Sequence, residues 1–439
     1  MKETAPASAG SRWSRIGTAG LGALLGGLVG GLFVVGVTLL LKAGMDFASG
    51  QDLWFVVLVP LLGLVAAVLV LQGLGRGAEP EGRSWRTFPP GVVRADISAD
   101  VVDSAGEEEQ FSWRLAPIRT LAILATVGSG GAMGTEAPAA YLGVAAGAAL
   151  GDRGRWWRRL LRPAALAGGA AGVAALMAIP LVGTAFMLEL GWRRRAPLSA
   201  ERVTAALIGG LVGFGINVAF SLNLIRLVVP REPPRSVLQA AVTAVFIGVA
   251  SGAISALAGM AVYRAKKWQA PPAVRLALGG ATAIVIALAI AMIATPSAAI
   301  GPGGGAILWA ENVNALPLTL LAVCLLRAAA TTAAVAAGGC GGVFVPFLAV
   351  GDIAGRVFAP GLGVGNDLAG AAGAAGGISG GYKLPLTATA MVLGVGGPLP
   401  ATLTCLATVL VAFVAGAAAE SGFDKLHGLL LHRRQATSH

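Results

Sequence analysis

Charge is scarce in this chain. Only 12% of its 439 residues are Asp, Glu, Lys or Arg, against roughly 25% in an average soluble protein. Histidine is confined to His427, His432 and His439, and cysteine to Cys324, Cys340 and Cys405. The histidines crowd the C-terminus, and the cysteines stand far apart in apolar surroundings. That distribution excludes a zinc site, His-based chemistry among the apolar spans and a disulfide framework. No metal, no cofactor and no enzymatic activity are expected. Short alternating segments of the β-barrel kind are missing too. Disorder is excluded because there is too much to bury.

What the chain does have is 56% hydrophobic residues and a mean hydropathy of +0.78. Glycine supplies 65 residues, about twice the usual share of ~7%, and sits inside the apolar runs. Those runs cover 17–41, 53–73, 117–150, 163–190, 203–229, 236–263, 272–300, 315–337, 342–361 and 384–419. About 20 apolar residues cross a bilayer, so several runs hold room for two short or broken helices. The expectation is an all-helical polytopic membrane protein with well over ten helical pieces. The run at 17–41 is too long for a signal-peptide core and reads as a retained first span.

The net charge of +11 does not point to nucleic acid. The basic residues cluster in short loops: Arg153, Arg155, Arg158, Arg159 and Arg162; Arg193, Arg194 and Arg195; Arg264, Lys266 and Lys267; and Lys425, Arg433 and Arg434 in the tail. By the positive-inside rule these loops and both termini are expected in the cytoplasm, the membrane being the plasma membrane. Trp156 and Trp157 beside one such loop fit an interfacial belt. The longest polar stretch, 74–114, contains Glu107, Glu108 and Glu109 and reads as an irregular surface loop.

The two halves resemble each other. PLVGTAFML at 180–188 and PLTATAMVL at 385–393 share five of nine residues, and Gly134, Pro138 and Gly143 match Gly342, Pro346 and Gly351 at identical spacing. Each half opens with a Gly-studded span, at 20–44 and 245–268. Repeats with Gly/Pro-interrupted segments at corresponding places predict two inverted-topology repeats of broken, tilted helices meeting at a central site. The expected organisation is a tail at 1–16, a first repeat at 17–229, a second at 236–420 and a tail at 421–439.

Two segments carry the chemistry. In Gly134-Thr135-Glu136-Ala137-Pro138, glycine and proline break a membrane helix or start a new one. Backbone N–H groups at the new N-terminus favour an anion, and Glu136 lies among them. A carboxylate inside an apolar stretch is a functional candidate by default; the alternative is a Glu in a water-exposed loop. Gly341-Gly342-Val343-Phe344-Val345-Pro346 is the counterpart in the second half, read either as a second helix start or as glycine-mediated helix packing.

These segments resemble the CLC family of chloride channels and proton/chloride antiporters. GTEAP at 134–138 is similar to that family's G-(K/R)-E-G-P, GGVFVP at 341–346 to its G-G-x-F-x-P, and KLPLTATAMVL at 383–393 to its R-A-P-L-T-G segment. Arg119 and Arg327 stand where the family has basic residues, and the likeness spans roughly 17–420. The resemblance implies a homodimer with one anion pathway per subunit, in the lipid bilayer. It implies Glu136 as the gating and proton-carrying glutamate. Gly134, Thr135 and Ala137 would flank the outer anion position, and Gly342, with the amides of Val343 and Phe344, would bind the central anion through dipoles that still release it.

The departures are specific. No G-S-G-I-P serine motif precedes Trp113; PPGVV at 89–93 is nearest, and no tyrosine stands near Leu399. Thr135 replaces a basic residue and Ala137 a glycine. Glu189 is either the inner proton glutamate, one residue out of register, or a helix-end carboxylate facing the adjacent basic loop. Arg119 and Arg327 either face the pathway or snorkel from span ends. Asp352 and Lys383 read as packing or interface residues. The expected function is transport of a small inorganic anion, chloride first, as a channel or a proton-coupled antiporter. Fluoride or another anion is the alternative. An organic-solute transporter is disfavoured by the absence of further intramembrane carboxylates, and a scaffold by the GTEAP carboxylate. The 19 residues after 420 are expected to hold no regulatory domain.

Overall fold

The computed structural model describes residues 9–49, 52–74, 113–151, 161–193, 195–222, 225–313 and 315–436. PPGVV at 89–93, the Glu107–Glu109 run, the arginines from Arg153 to Arg159 and Trp156 and Trp157 lie outside them. The described chain is nearly all helix. The first half comprises α1 (Ala9–Ser49), α2 (Leu53–Gly73), α3 (Ala116–Gly128), α4 (Glu136–Gly151), α5 (Leu161–Met177), α6 (Pro180–Arg193) and α7 (Ala200–Ala219). The second comprises α8 (Val237–Lys267), α9 (Pro272–Ile293), the single turn α10 (Pro296–Ala299), α11 (Gly304–Asn312), α12 (Pro317–Ala336), α13 (Phe344–Leu362), α14 (Asn366–Gly377), α15 (Pro385–Val395) and α16 (Leu399–Ala436). A π-helical turn, Ile378–Tyr382, joins α14 to α15. Eight of the described helices are long and apolar enough to cross a membrane.

The helix boundaries follow local chemistry. Proline opens α9, α12 and α15, where a missing N–H costs nothing and the fixed φ suits a first turn. Ser199 and Ser236 cap α7 and α8 by accepting from the amides of Arg202 (3.3 Å) and Gln239 (3.1 Å). The runs 117–150, 163–190 and 384–419 each split into two helices, as their length allows. Helix also continues into both segments read as tails, since α1 begins at Ala9 and α16 reaches Ala436. The run 203–229 departs the other way: α7 stops at Ala219 and residues 225–235 carry no helix.

The halves repeat each other in detail. α3 and α12 both end in a Schellman turn with a left-handed glycine, Gly130 (φ 88°) and Gly338 (φ 94°). The next glycines close it alike, with Gly131 N–H donating to the Thr126 carbonyl (2.9 Å) and Gly339 N–H to Ala334 (3.0 Å). Both segments then cross the interior without helix and start a new helix at Glu136 and at Phe344. Where they meet, Gly134 and Gly342 form an isolated antiparallel bridge, each N–H donating to the other's carbonyl at 2.7 and 2.8 Å.

Glycine serves this architecture by letting helices touch backbone to backbone. A Cβ on Gly143 of α4 would fall 2.2 Å from the Gly168 carbonyl oxygen of α5; one on Gly351 of α13 would fall 2.3 Å from that of Gly373 in α14. In apolar surroundings helix association rests on such close packing. The buried core accordingly draws on both halves, from Val34 and Ile123 to Phe347 and Ala388.

Candidate functional site

The two broken regions bring both motifs to one place. Glu136 is the first residue of α4, and its side chain is fully buried. Thr135 Oγ1 donates to its Oε1 at 3.1 Å. The amides of Thr135, Val345 and Glu136 itself face the carboxylate. Its Oε2 has no hydrogen-bond partner of good geometry. Thus a carboxylate from the first repeat reaches the opening turn of α13 in the second. The contact is intimate: a Cβ on Gly134 would lie 2.9 Å from Glu136 Oε2 and 2.9 Å from Pro346 Cδ. The reciprocal position is as tight, since a Cβ on Gly342 would lie 3.1 Å from Ala137 Cβ and 3.2 Å from Pro138 Cδ. Glycine at 134 and 342 is the condition for the two helix starts to face each other.

α13 opens with Val343 as its cap and Phe344 and Val345 in its first turn. The first amides of a helix lack intrahelical acceptors and carry the positive end of its dipole. In this structure the amide of Val345, in that first turn, meets the Glu136 carboxylate. The ring of Phe344, fully buried, is held edge-on by Phe186 of α6 (centroids 5.8 Å) and by Tyr382 (5.7 Å). Thr126 Oγ1 accepts from the Cys340 amide at 3.0 Å and ties the crossing strand of the second half to α3.

Glu189 lies elsewhere, at the start of α15. Its carboxylate accepts from the amides of Leu386 (3.0 Å) and Thr387 (2.9 Å) and from Thr387 Oγ1 (2.7 Å). One turn further along α6, the Arg193 guanidinium donates to the carbonyls of Tyr382 and Lys383. Residues four apart share a helix face. One face of α6 therefore offers a carboxylate to the N–H end of α15 and a cation to the carbonyl end of the preceding turn, matching both dipoles. Lys383 occupies the left-handed joint between them (φ 58°) and its Nζ bonds Glu420.

Arg119 and Arg327 do not snorkel, because each is only 1% exposed. Arg327 holds the end of α10 and the residues just after it, donating to the carbonyls of Ala299 (3.0 Å), Ala298 (3.4 Å) and Gly301 (2.5 Å). Arg119 lies 5.0 Å from the centre of the Tyr141 ring. Asp352 corrects the view that the interior holds no further carboxylate. It is fully buried in α13 and pairs at 2.6 Å with Arg356, also fully buried. The sequence reading missed Arg356, Val345 and Tyr382. The four-residue spacing of Asp352 and Arg356 on a helix was a usable signal for the first; nothing local marks Tyr382. Among the described residues no cluster of His, Cys, Asp and Glu could hold a metal ion.

Comparison with known proteins agrees with this geometry. The family model described as voltage gated chloride channel matches residues 85–417. The voltage-gated ClC-type chloride channel ClcB of Escherichia coli O81 (strain ED1a) is 25% identical over 328 residues, covering 73% of this chain and 72% of its own. Among solved structures, a slow cyanobacterial chloride/proton antiporter superposes with a TM-score of 0.70 at 20% identity, over 95% of this chain and 98% of its own. A CLC-type fluoride/proton antiporter superposes with a TM-score of 0.71 at 19% identity, over 93% and 96%. With its two inverted helix starts meeting at Gly134 and Gly342 and a family model matching most of its length, the chain belongs to the CLC family of chloride channels and transporters.

Proposed function

We propose that this chain moves a small inorganic anion across the plasma membrane, chloride first, along a path through the junction of α4 and α13, with Glu136 as its gate. One observation carries the reading: the Glu136 carboxylate occupies the N-terminal turn of α13, among amides suited to an anion. A charged carboxylate there competes with the transported ion; a neutral or displaced one leaves the amides of Val343, Phe344 and Val345 free. Binding through backbone dipoles holds an anion without trapping it. Gly134, Thr135 and Ala137 shape the outer side of the position and Gly342 the inner one. Arg327 and Arg119 keep their cationic heads inside the protein and hold the frame.

Proton coupling is part of the proposal. Glu136 carries the proton at the gate, and Glu189, packed on α15, is the candidate second carrier. The working form is a homodimer with one pathway per subunit. Both termini and the 193–202 loop face the cytoplasm, as the arginine clusters favour. Fluoride is the second reading, supported by the absence of a tyrosine near Leu399 and by the similar fluoride/proton antiporter structure. Purified protein in liposomes, assayed for chloride, fluoride and nitrate efflux with internal pH followed, tests all of this. No efflux of any of the three from folded protein overturns the proposal.

A further inference from the structure

Arg327 lies buried in α12 and, among the described residues, pairs with no carboxylate; its guanidinium ends on main-chain oxygens. Nη1 donates to the carbonyls of Ala298 and Ala299, the last residues of α10, and Nη2 to that of Gly301. α10 is a single turn and cannot satisfy those carbonyls itself, so a rigid fork of donors suits the place. The residues held in this way, 298–303, touch both partners of the Glu136 contact. On one side the Gly301 N–H donates to the Gly130 carbonyl at 2.7 Å, and a Cβ on Gly130 would fall 2.5 Å from Ile300 Cγ2. Gly130 leads into the helix-free crossing that ends at Glu136, and Ala132 within that crossing packs in one apolar cluster with Ala298, Ala299 and Ile300. On the other side a Cβ on Gly303 would fall 2.5 Å from Ala349 Cβ of α13. Ala349 stands one turn beyond Val345, whose amide faces the Glu136 carboxylate.

We propose that Arg327 is a positioning residue for Glu136: by fixing residues 298–303 against Gly130 and Ala349, it sets how firmly the carboxylate is held in the first turn of α13. This role presupposes that Glu136 gates the path. With Arg327 replaced, buried carbonyls lose their donors, the 298–303 turn relaxes, and the carboxylate leaves the α13 amide at neutral pH as well as in acid. The groups facing that carboxylate are the Thr135 hydroxyl and the amides of Thr135, Glu136 and Val345, none of which titrates. A changed pH response of the flux therefore reports the seating of Glu136.

The test measures chloride and fluoride efflux from liposomes, per folded protein, at neutral and at acid pH. It compares the unmodified chain with Arg327→Met, Arg327→Lys and Glu136→Gln, and with each Arg327 substitution combined with Glu136→Gln. Arg327→Met should raise flux at neutral pH and cut the acid-to-neutral flux ratio about threefold or more. Arg327→Lys should cut it by a smaller factor, because an ammonium lacks the fork that spans the carbonyls. Neither substitution should change flux once Glu136 is replaced by Gln. Arg327→Lys keeps the buried cation and carries the test if Arg327→Met does not fold. An unaltered flux ratio in Arg327→Lys would show that the charge acts, and not the hydrogen-bonded turn, and would overturn the proposal. So would an equal change in flux with and without Glu136→Gln, which would place Arg327 outside the gate. If Glu136→Gln alone still follows pH like the unmodified chain, the gate reading falls, and this role with it.

Discussion

Gly134 and Gly342 each donate a backbone hydrogen bond to the other, at 2.7 and 2.8 Å, where the broken segments of the two halves meet. The two helix starts are thereby one mechanical unit. No side chain stands between the two backbones at this bridge.

Glu136→Gln and Glu136→Ala remove the charge that competes with the anion. Anion efflux from liposomes should persist or rise, lose its dependence on pH and lose any coupled proton movement. In the unmodified chain, flux should increase as pH falls, because protonation neutralises the blocking carboxylate. If Glu136→Ala is folded and dimeric yet passes no anion, Glu136 is a binding or structural residue and the gate assignment fails.

Glu189→Gln should leave passive anion flux intact and reduce proton coupling. Because the carboxylate also accepts three hydrogen bonds at the start of α15, Glu189→Ala should in addition cost about 1 kcal/mol, the usual worth of a helix cap. Thermal unfolding in detergent separates the two effects. A stability loss in the Ala variant with unaltered coupling in both variants would leave Glu189 a cap alone.

Asp352 and Arg356 should behave as a unit. Asp352→Asn or Arg356→Met strands one buried charge, and such breaks cost about 3–5 kcal/mol. The double substitution should recover most of the loss, read as a coupling in a double-mutant cycle of unfolding. Additive losses would show that the pair contributes little as a pair.

The twin glycine contacts predict equal penalties in the two halves. Gly143→Ala and Gly351→Ala each place a methyl within 2.3 Å of a helix carbonyl oxygen, an overpacking worth about 1–3 kcal/mol or more. Melting temperatures of the two variants should fall by similar amounts. A large drop in only one would mean that the halves pack differently.

Sidedness can be read with single cysteines. Cys324, Cys340 and Cys405 are all buried, so they leave a low background toward impermeant thiol reagents. Cysteine at Arg155 or Arg194 should react only after the membrane is opened. Labelling from outside intact cells would reverse the topology.

Much of the architecture is written in local pattern. Hydropathy and run length mark the spans because a bilayer demands about 20 apolar residues whatever they pack against. The matched Gly134/Pro138 and Gly342/Pro346 spacings mark the helix breaks because backbone restrictions act within a few residues. Other matters rest on contacts between distant segments, which no local signal encodes. That Glu136 reaches the amide of Val345 is such a matter, decided by the antiparallel crossing at Gly134 and Gly342. That Glu189 accepts from the first amides of α15 depends on that helix arriving about 200 residues later in the chain with its N–H end toward α6. The burial of Arg327 on carbonyls at the end of α10 and the packing of Tyr382 on Phe344 likewise depend on which helices become neighbours. The sequence alone determined that this chain folds as broken membrane helices in two related halves. The tertiary structure alone decided which polar groups face one another, because hydrogen bonds and ion pairs form at a few ångströms between residues whose separation along the chain is arbitrary.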